Sequence, residues 1–503
     1  MRILLVYPVP PRQQWPVGSF LSRWVPTGLA YIGAGLKRAG HEVRVHLREQ
    51  ALADRGFDWD AADLALRELL REFQPDMVGL SVLTPSVAEA QQIGRMAKDE
   101  CGEHVLVAAG GVHPTAVPEQ TLEDCPAVDV AVVGEGEHTM VALAQRGPAA
   151  SVRGLVFREN AGYTHTPPRP PETDLDRLGP PAYELFDMDY HTHPTRWLIR
   201  WLFFRVTNVL TSRGCPNRCR FCAGHLVAGL GVRYHSVEYV IEQIQNLVDR
   251  FGVEAIHFDD DTLGTDRDRL VRLCEELQIC GLHRHIKWDG CLRVDQAEPE
   301  LLEQMKAAGC IQVEYGFETG SDRMLRRLGK NSSVELNRRA ARLTREAGLR
   351  IFADIMVGLP GETEEDFRAT MRFMRWARPE VITVSRLCPL PGTPIYDNLP
   401  DEVRRSLPWG EYAYDRIADR VNLTAMSDER YEELYREFDK YFVKPKMTHD
   451  LLRDTGQERR EIRRNLRGRL TRFCVLHPLR ALRVPWRFKA SLSGGSRRPW
   501  PRR

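Results

Sequence analysis

The sequence predicts an α/β protein built in two parts. The first is a doubly wound, Rossmann-like parallel sheet, and the second is a series of six β/α units followed by a small helical C-terminal region. Three observations carry this. Short apolar runs alternate with helical stretches over residues 1–147, a Pro-rich break follows, and the alternation then resumes until strand signals cease beyond Pro400.

In the first part the expected strands are Ile3 to Tyr7, Val43 to Leu47, Met77 to Val82, Val105 to Ala109 and Val128 to Val133. Their near-continuous Val, Ile and Leu suit strands buried on both faces. Helices fit between them, including Gly28 to Ala39 and Asp60 to Phe73. Ligands of such sheets bind at the carboxyl ends of the strands. Here those ends carry Leu83-Thr84-Pro85-Ser86, Gly110-Gly111-Val112-His113-Pro114-Thr115 and Gly134-Glu135-Gly136-Glu137-His138-Thr139.

Residues 148–205 contain Pro167-Pro168-Arg169-Pro170-Pro171 and Pro180-Pro181 and read as a linker. The six later strands are expected at Val206 to Thr211, Ala255 to Asp259, Ile286 to Asp289, Ile311 to Tyr315, Ile351 to Val357 and Val381 to Leu387. They form either an open sheet or part of a barrel, and in both cases active groups belong at the strands' carboxyl ends. Asp428 to Phe442 reads as an amphipathic helix. The expected organisation is thus a first domain over 1–147, a linker over 148–205, a second domain over 206–398, a helical cap over 399–458 and a basic tail over 459–503.

The 503 residues, 43% hydrophobic and 28% charged, describe a globular chain of about three domains. Met1 to Tyr7 is a strand that runs into Pro8, Pro10 and Pro11, not a signal peptide. The most apolar patch, Trp197 to Val206, is interrupted by Arg200 and Arg205, too short and too charged for a membrane span. A cytoplasmic location is expected. The net charge of +2 conceals an asymmetry: residues 459–503 carry +14 through 14 Arg and one Lys against Glu461, and the remainder carries −12. Such a tail is either a solvated Arg-rich terminus or a contact for an anionic surface.

Eight of the eleven cysteines are scattered singly, at Cys101, Cys125, Cys274, Cys280, Cys291, Cys310, Cys388 and Cys474, and read as small buried hydrophobes. The other three crowd into Cys215-Pro-Asn-Arg-Cys219-Arg-Phe-Cys222, in the loop leaving the first strand of the second part. Three thiolates can hold three irons of a 4Fe-4S cluster and leave the fourth without a protein ligand. The alternative is a structural zinc with His225 as fourth ligand, although zinc ligands usually come as two separated pairs.

These residues, preceded by Thr211-Ser212-Arg213-Gly214, closely resemble the cluster loop of the radical S-adenosylmethionine enzymes. The resemblance implies a partial (β/α)6 barrel of TIM type. It also implies a 4Fe-4S cluster on Cys215, Cys219 and Cys222 whose open iron chelates S-adenosylmethionine, which is then cleaved to a 5'-deoxyadenosyl radical. Later segments look like further motifs of that fold: Asp259-Asp260-Asp261, Val313 to Ser321, Val357 to Thr363 and Pro389 to Pro394. By resemblance Phe221, Glu318, Gly358 and Gly361 contact S-adenosylmethionine, the glycines by letting backbone approach a flat adenine.

The first part carries a second resemblance. Pro26 to Tyr31, Gly79-Leu80-Ser81, Gly110 to Thr115 and Gly134 to Glu137 look like the cobalamin-binding domain of the subclass that pairs cobalamin with this radical chemistry. The resemblance implies cobalamin contacts at Thr84, Ser86, Gly110, Gly111, His113, Gly134, Glu135 and Gly136. The D-x-H-x-x-G motif that supplies an axial histidine elsewhere does not occur, so His113 is expected as a structural or cofactor-tail contact. The Glu135/Glu137 pair is expected on the nucleotide-tail side, with no proton-transfer role.

Together the resemblances, which cover about residues 1–400, imply a cobalamin-dependent radical S-adenosylmethionine methyltransferase. It would act on an unactivated carbon or a phosphinate phosphorus of a specialised metabolite or lipid. A reductant such as flavodoxin or ferredoxin is implied, nucleic acid is not, and the basic tail suits peripheral contact with an anionic membrane. The rivals are an oxidative cyclase or ring-contracting enzyme of the same architecture, and a cobalamin-binding sensor with a structural cluster. No catalytic residue is assigned. Trp288, Asp289, Arg293 and Asp295 lie at the third strand's end as candidates to face the cavity, and Arg386 at the sixth is a candidate partner for a carboxylate of cofactor or substrate; a structural ion pair is the alternative for each.

Overall fold

A computed structural model describes residues 1–10, 23–160, 162–194, 199, 202, 204–406, 408–412 and 421–443. The basic tail and Cys474 lie outside the described residues.

The first sheet has seven strands: β1 (Arg2–Tyr7), β2 (Glu42–Leu47), β3 (Met77–Ser81), β4 (Leu106–Gly110), β5 (Val130–Val132), β6 (Leu155–Glu159) and β7 (Gly162–His165). Their order is β2-β1-β3-β4-β5-β6-β7, parallel through β5 and antiparallel beyond it. Alternate residues feed two cores. Ile3, Leu5 and Met77 face the helices Thr27–Arg38 and Glu137–Arg146, whereas Leu4, Val6 and Val78 face Trp59–Phe73 and Val87–Cys101. Burial on both faces is what the unbroken apolar runs require. Chain order reverses between β1 and β3, which opens a crevice at their carboxyl ends.

The expected linker is in part structure. Residues 155–165 form the antiparallel hairpin β6–β7, which extends the sheet past β5. Tyr183, Phe186 and Met188 are buried, and Tyr183 packs edge-on against Phe251 of the second domain. Proline punctuation reports where helix and strand stop, not whether the chain between is packed.

The second sheet holds β8 (Val206–Val209), β11 (Ala255–Phe258), β12 (Lys287–Cys291), β13 (Cys310–Glu318), β14 (Arg350–Val357) and β15 (Val381–Arg386), all parallel and adjacent in chain order. Between β8 and β11 a two-stranded ladder pairs β9 (Ser212–Arg213) with β10 (Arg233–Tyr234). The result is a partial barrel with β8 and β15 at its free edges. Local sequence starts the covering helices: Ser236, Asp266, Ser333 and Thr363 each accept a hydrogen bond from the backbone N–H three residues on.

Ile256, Phe258, Val313, Tyr315 and Ile351 point outward under the helices. Trp288 does the same and donates its indole N–H to the Ala308 carbonyl at 2.9 Å, so it does not reach the barrel interior. The interior is polar. His257 Nδ1 lies 2.9 Å from Asp289, which also accepts from Gln312 at 2.8 Å, and Trp24 from the first domain stacks on His257. Deeper along β13 and β14, burial and the Asp354 carboxyl beside it push Glu314 well above the usual carboxyl range.

Burial works to lower the His257 pKa, but the Asp289 carboxylate outweighs it and raises the imidazole to about 9. A folded-state value above the ordinary imidazole value of about 6.5 means the added stability is complete below that pH and is lost as pH rises through about 9. On the order of 3 kcal/mol is at stake. Denaturant unfolding at pH 6.5 and pH 9 is expected to show a markedly smaller stability difference for Asp289→Asn than for the unsubstituted chain. Equal differences would refute the pairing.

A candidate active site between the two sheets

The three consecutive acids that follow β11 brace the cysteine loop. Asp259 accepts from Asn208 of β8 at 3.1 Å. Asp260, fully enclosed, accepts from Thr211 N and Oγ1 at 2.6 Å each and from Ser212 N at 3.0 Å. Arg269 bridges the same turn, donating to Thr211 and to the His235 carbonyl. Asp261 accepts from the Gly214 N–H and lies against Gly224. The β9–β10 ladder closes the loop at its base. Gly214 has φ +95°, and a Cβ there would collide with the Gly231 carbonyl, so only glycine makes this turn.

Cys215, Cys219 and Cys222 are free thiols. Asn217 donates to Cys215 Sγ at 3.3 Å and Gly224 N–H to Cys222 Sγ at 3.4 Å. Burial pushes the Cys219 and Cys222 thiols above the usual range, with Lys330 and Arg293 pulling Cys219 back. Iron would displace those protons on binding. The three thiols influence one another electrostatically. Three thiolates can each hold a different iron of a 4Fe-4S cluster.

A cavity of about 310 Å³ opens beside the loop, and both domains line it. The first sheet contributes Gly79, Ser81, Gly110, Gly111, Gly134, Glu135 and Gly136, and the barrel side contributes Arg213, Gly214, Gly224, Asp259 and Asp261. It sits at the β1/β3 reversal, where doubly wound sheets bind ligands. A Cβ added at Gly28 or Gly134 would meet nothing within 4 Å, whereas one at Gly79, Gly111 or Gly136 would meet protein atoms at 2.9–3.0 Å. The open part of the edge is therefore at Gly28 and Gly134, and glycine-rich strand ends at this reversal fit a flat macrocycle such as cobalamin. Gly28→Leu is expected to fill this room and cut cobalamin retention at least about tenfold, while stability stays within about 1 kcal/mol because leucine is the better helix former. Absorbance of the purified protein after incubation with hydroxocobalamin checks it.

Of the positions expected on cobalamin, Gly110, Gly111, Gly134, Glu135 and Gly136 line this cavity, and three others do not. His113 is fully buried, with Nδ1 3.3 Å from Thr84 Oγ1 and its ring edge-on to Trp409. Burial pulls its pKa down to about 3, leaving it neutral. Ser86 closes the Leu83 turn, accepting from Leu83 N and donating to Leu83 O. Gly111, with φ +102°, turns the chain back so that His113 N–H meets the Val82 carbonyl, which carries the imidazole behind the strand ends.

The glutamate pair is held by arginines of the barrel side. Arg213 donates to Glu135 at 3.2 Å and to Glu137 at 2.7 Å, and Arg233 donates to Glu135 at 2.7 and 3.0 Å. All four side chains are nearly buried, at 8–11% exposure. Burial opposes ionisation of Glu135, but the Arg233 and Arg213 guanidiniums overcome it and hold its carboxyl below the usual range. Arg213 also lies over the Tyr31 ring at 5.2 Å. These residues clamp the first domain to the base of the cysteine loop. Arg213 is adjacent to Gly214-Cys215 in sequence, but no local pattern pairs it with glutamates 76 and 78 residues away.

Of the positions expected on S-adenosylmethionine, Glu318 ends β13 with φ +62°, pairs with Lys330 and acts electrostatically on Cys219. Phe221 packs into an apolar cluster with Met324, Leu328, Leu359, Leu387 and Ile395. Gly358 and Gly361 are filled from the other side: a Cβ on Gly358 would meet the Tyr431 hydroxyl at 2.7 Å, and one on Gly361 the Arg327 guanidinium at 3.1 Å. Protein therefore fills the space on the side where a side chain would stand. Arg293 pairs with Asp295 at 3.1 Å on the barrel rim, and Arg386 with Glu432 of the C-terminal helix at 2.6 Å, the structural alternative for each.

The model of the radical SAM superfamily matches residues 209–374, and that of the B12 binding domain matches residues 16–144. An uncharacterized methyltransferase of Pyrococcus horikoshii is 31% identical over 458 residues, spanning 89% of this chain and 94% of that protein. An anaerobic magnesium-protoporphyrin IX monomethyl ester cyclase of Cereibacter sphaeroides is 29% identical, spanning 92% of this chain and 73% of the cyclase. The fold matches that of TsrM from Kitasatospora setae, a radical S-adenosylmethionine methyltransferase solved with cobalamin and a 4Fe-4S cluster. The TM-score is 0.63 and the identity 21%, over 78% of this chain and 73% of TsrM. A cobalamin-type domain and a triple-cysteine barrel loop that share one cavity define a radical enzyme using both cofactors. The chain belongs to the cobalamin-binding radical S-adenosylmethionine enzymes, in the methyltransferase-type subclass.

Proposed function

We propose that this protein transfers a methyl group to an unactivated carbon, or to a phosphinate phosphorus, of a small specialised metabolite or lipid. The observation that carries the reading is the single cavity lined on one side by the glycine edge of the first sheet and on the other by the cysteine loop. When bound, the cluster and S-adenosylmethionine supply radical initiation and cobalamin supplies the methyl carrier.

The chain's own residues bind and orient. Cys215, Cys219 and Cys222 hold the cluster. Asp259, Asp260 and Asp261 hold the loop that carries them. Arg213 with Glu135 and Glu137 sets the distance between the loop and the cobalamin edge. Glu318 stands beside the cluster loop, and we assign it to the amino or ribose groups of S-adenosylmethionine, with Lys330 orienting its carboxylate. Phe221 flanks the same loop. Among the described residues no helix is long and apolar enough to cross a membrane. We place the enzyme in the cytoplasm, reduced by an acidic one-electron donor of flavodoxin or ferredoxin type.

The test is anaerobic reconstitution with iron, sulfide and hydroxocobalamin, then reduction with dithionite in the presence of S-adenosylmethionine and mass analysis. Formation of both 5'-deoxyadenosine and S-adenosylhomocysteine is the expected result. The likeness to the Cereibacter cyclase favours a second reading, oxidative cyclisation without net methyl transfer. That reading predicts 5'-deoxyadenosine without S-adenosylhomocysteine. Absence of both from a cluster-loaded protein would favour a sensor and overturn the proposal.

A further inference from the structure

Burial alternates along the barrel strands. On the helix-covered face Tyr315 and Ala353 are fully buried and Ile355 is 1% exposed, whereas Glu314, Asp354 and Thr383 on the inward face each keep accessible surface. Cys291, level with Glu314 on the adjoining strand, does so too. The covered side is packed core, and the enclosed side is open enough to admit a ligand.

The polar groups of that interior fall into two sets. The first is settled: His257 is held by Asp289 at 2.9 Å, and Lys330 is paired with Glu318. The second is not. Glu314 makes no ion pair among the described residues, and its carboxyl hydrogen-bonds with a second carboxyl, that of Asp354. Gln312, two residues before Glu314 on the same face and 2% exposed, donates to Asp289 and leaves its Oε1 without a partner among the described residues. Thr383 Oγ1, level with Asp354, has none either. Two carboxyls and two neutral acceptors thus face the interior with acceptor capacity to spare.

Buried acceptors without donors cost free energy. A protonated amine brings three N–H donors and a positive charge on one atom. A phosphinate anion would be repelled by the carboxyls, and a lipid tail would strip water from them and return no hydrogen bond. From this we infer that the substrate carries a protonated primary amine, lodged in the barrel against Glu314 and Asp354, with Gln312 Oε1 and Thr383 Oγ1 accepting from it. The inference rests on the methyltransferase reading and narrows its substrate class.

The test uses the reconstituted, unreduced enzyme, so that binding is read without turnover. Saturation-transfer NMR titrations compare glucosamine, tyramine and cadaverine with their N-acetyl forms, and with methylphosphinate and octanol. At least one amine is expected to bind about tenfold or more tighter than its N-acetyl form, and tighter than methylphosphinate or octanol. Glu314→Gln keeps the shape and removes the charge, and it should erase that preference. Thr383→Lys places an ammonium of the chain itself beside Asp354 and should weaken binding of the same amine while sparing its N-acetyl form. Urea midpoints show whether each variant is folded, and either folded variant carries this arm of the test. N-acetyl forms that bind as well as their amines throughout would overturn the inference, and so would a preference that survives in a folded variant. Methylphosphinate or octanol binding more tightly than every amine would overturn it as well. Deoxyadenosine without S-adenosylhomocysteine in the reductive assay would instead overturn the methyltransferase reading, and the titrations would still decide the amine site.

Discussion

Substituting alanine for Cys215, Cys219 and Cys222 together is expected to abolish both the iron–sulfur absorbance and the cleavage of S-adenosylmethionine. The loss should reach at least about a thousandfold, the equivalent of about 4 kcal/mol in activation free energy. The loop offers no replacement sulfur. Cys291 lies in the barrel interior, where burial raises its thiol well above the usual range and holds it protonated. The fold is expected to survive, because the loop is anchored by Asp260, Arg269 and the β9–β10 ladder rather than by the thiols. Cys291→Ala is the matched control and should load iron normally. Iron content, electron paramagnetic resonance of the reduced protein and deoxyadenosine yield check the result. A triple variant that keeps a cluster signal would place the ligands elsewhere.

The second large effect concerns stability. Arg213→Met removes the centre of the interdomain clamp and leaves Glu137 and part of Glu135 buried without their partner. Breaking one side of a buried ion pair in this way costs about 3–5 kcal/mol. The domains should also loosen at the cavity, so cobalamin retention should fall in the same variant. Arg213→Lys keeps the charge but cannot reach both glutamates at once, since a single ammonium replaces a two-armed donor, and an intermediate loss is expected. Adding Glu137→Gln to Arg213→Met relieves the unpaired charge and should recover a sizeable part of the stability. Denaturant titrations of the four proteins give the comparison. A loss below about 1 kcal/mol for Arg213→Met would show that the clamp is ornamental.

Both predictions depend on features of different legibility. The cysteine loop was readable because its three ligands lie within eight residues and its position after a strand is a local pattern. The strands were readable for the same kind of reason: all eleven parallel strands lie within a few residues of the runs of Val, Ile and Leu that announce them. The hairpin β6–β7 was not, because Leu155–Glu159 and Gly162–His165 are short and sit beside proline clusters. Gly358 and Gly361 show another limit of local pattern. A glycine-rich turn after a strand looks the same whether a ligand or the Tyr431 hydroxyl fills the space beside it.

The sequence by itself determined the two αβ sheets, the polar carboxyl ends and the cluster-type cysteine spacing, because periodicity and ligand spacing are properties of neighbours along the chain. Tertiary structure alone decided that Glu135 and Glu137 grip Arg213, that Asp259, Asp260 and Asp261 brace the cysteine loop, and that His113 turns away from the cavity. Each of those outcomes depends on how two sheets meet. Burial then makes the pairings obligatory, because a charge removed from water must find its partner wherever the fold has placed it.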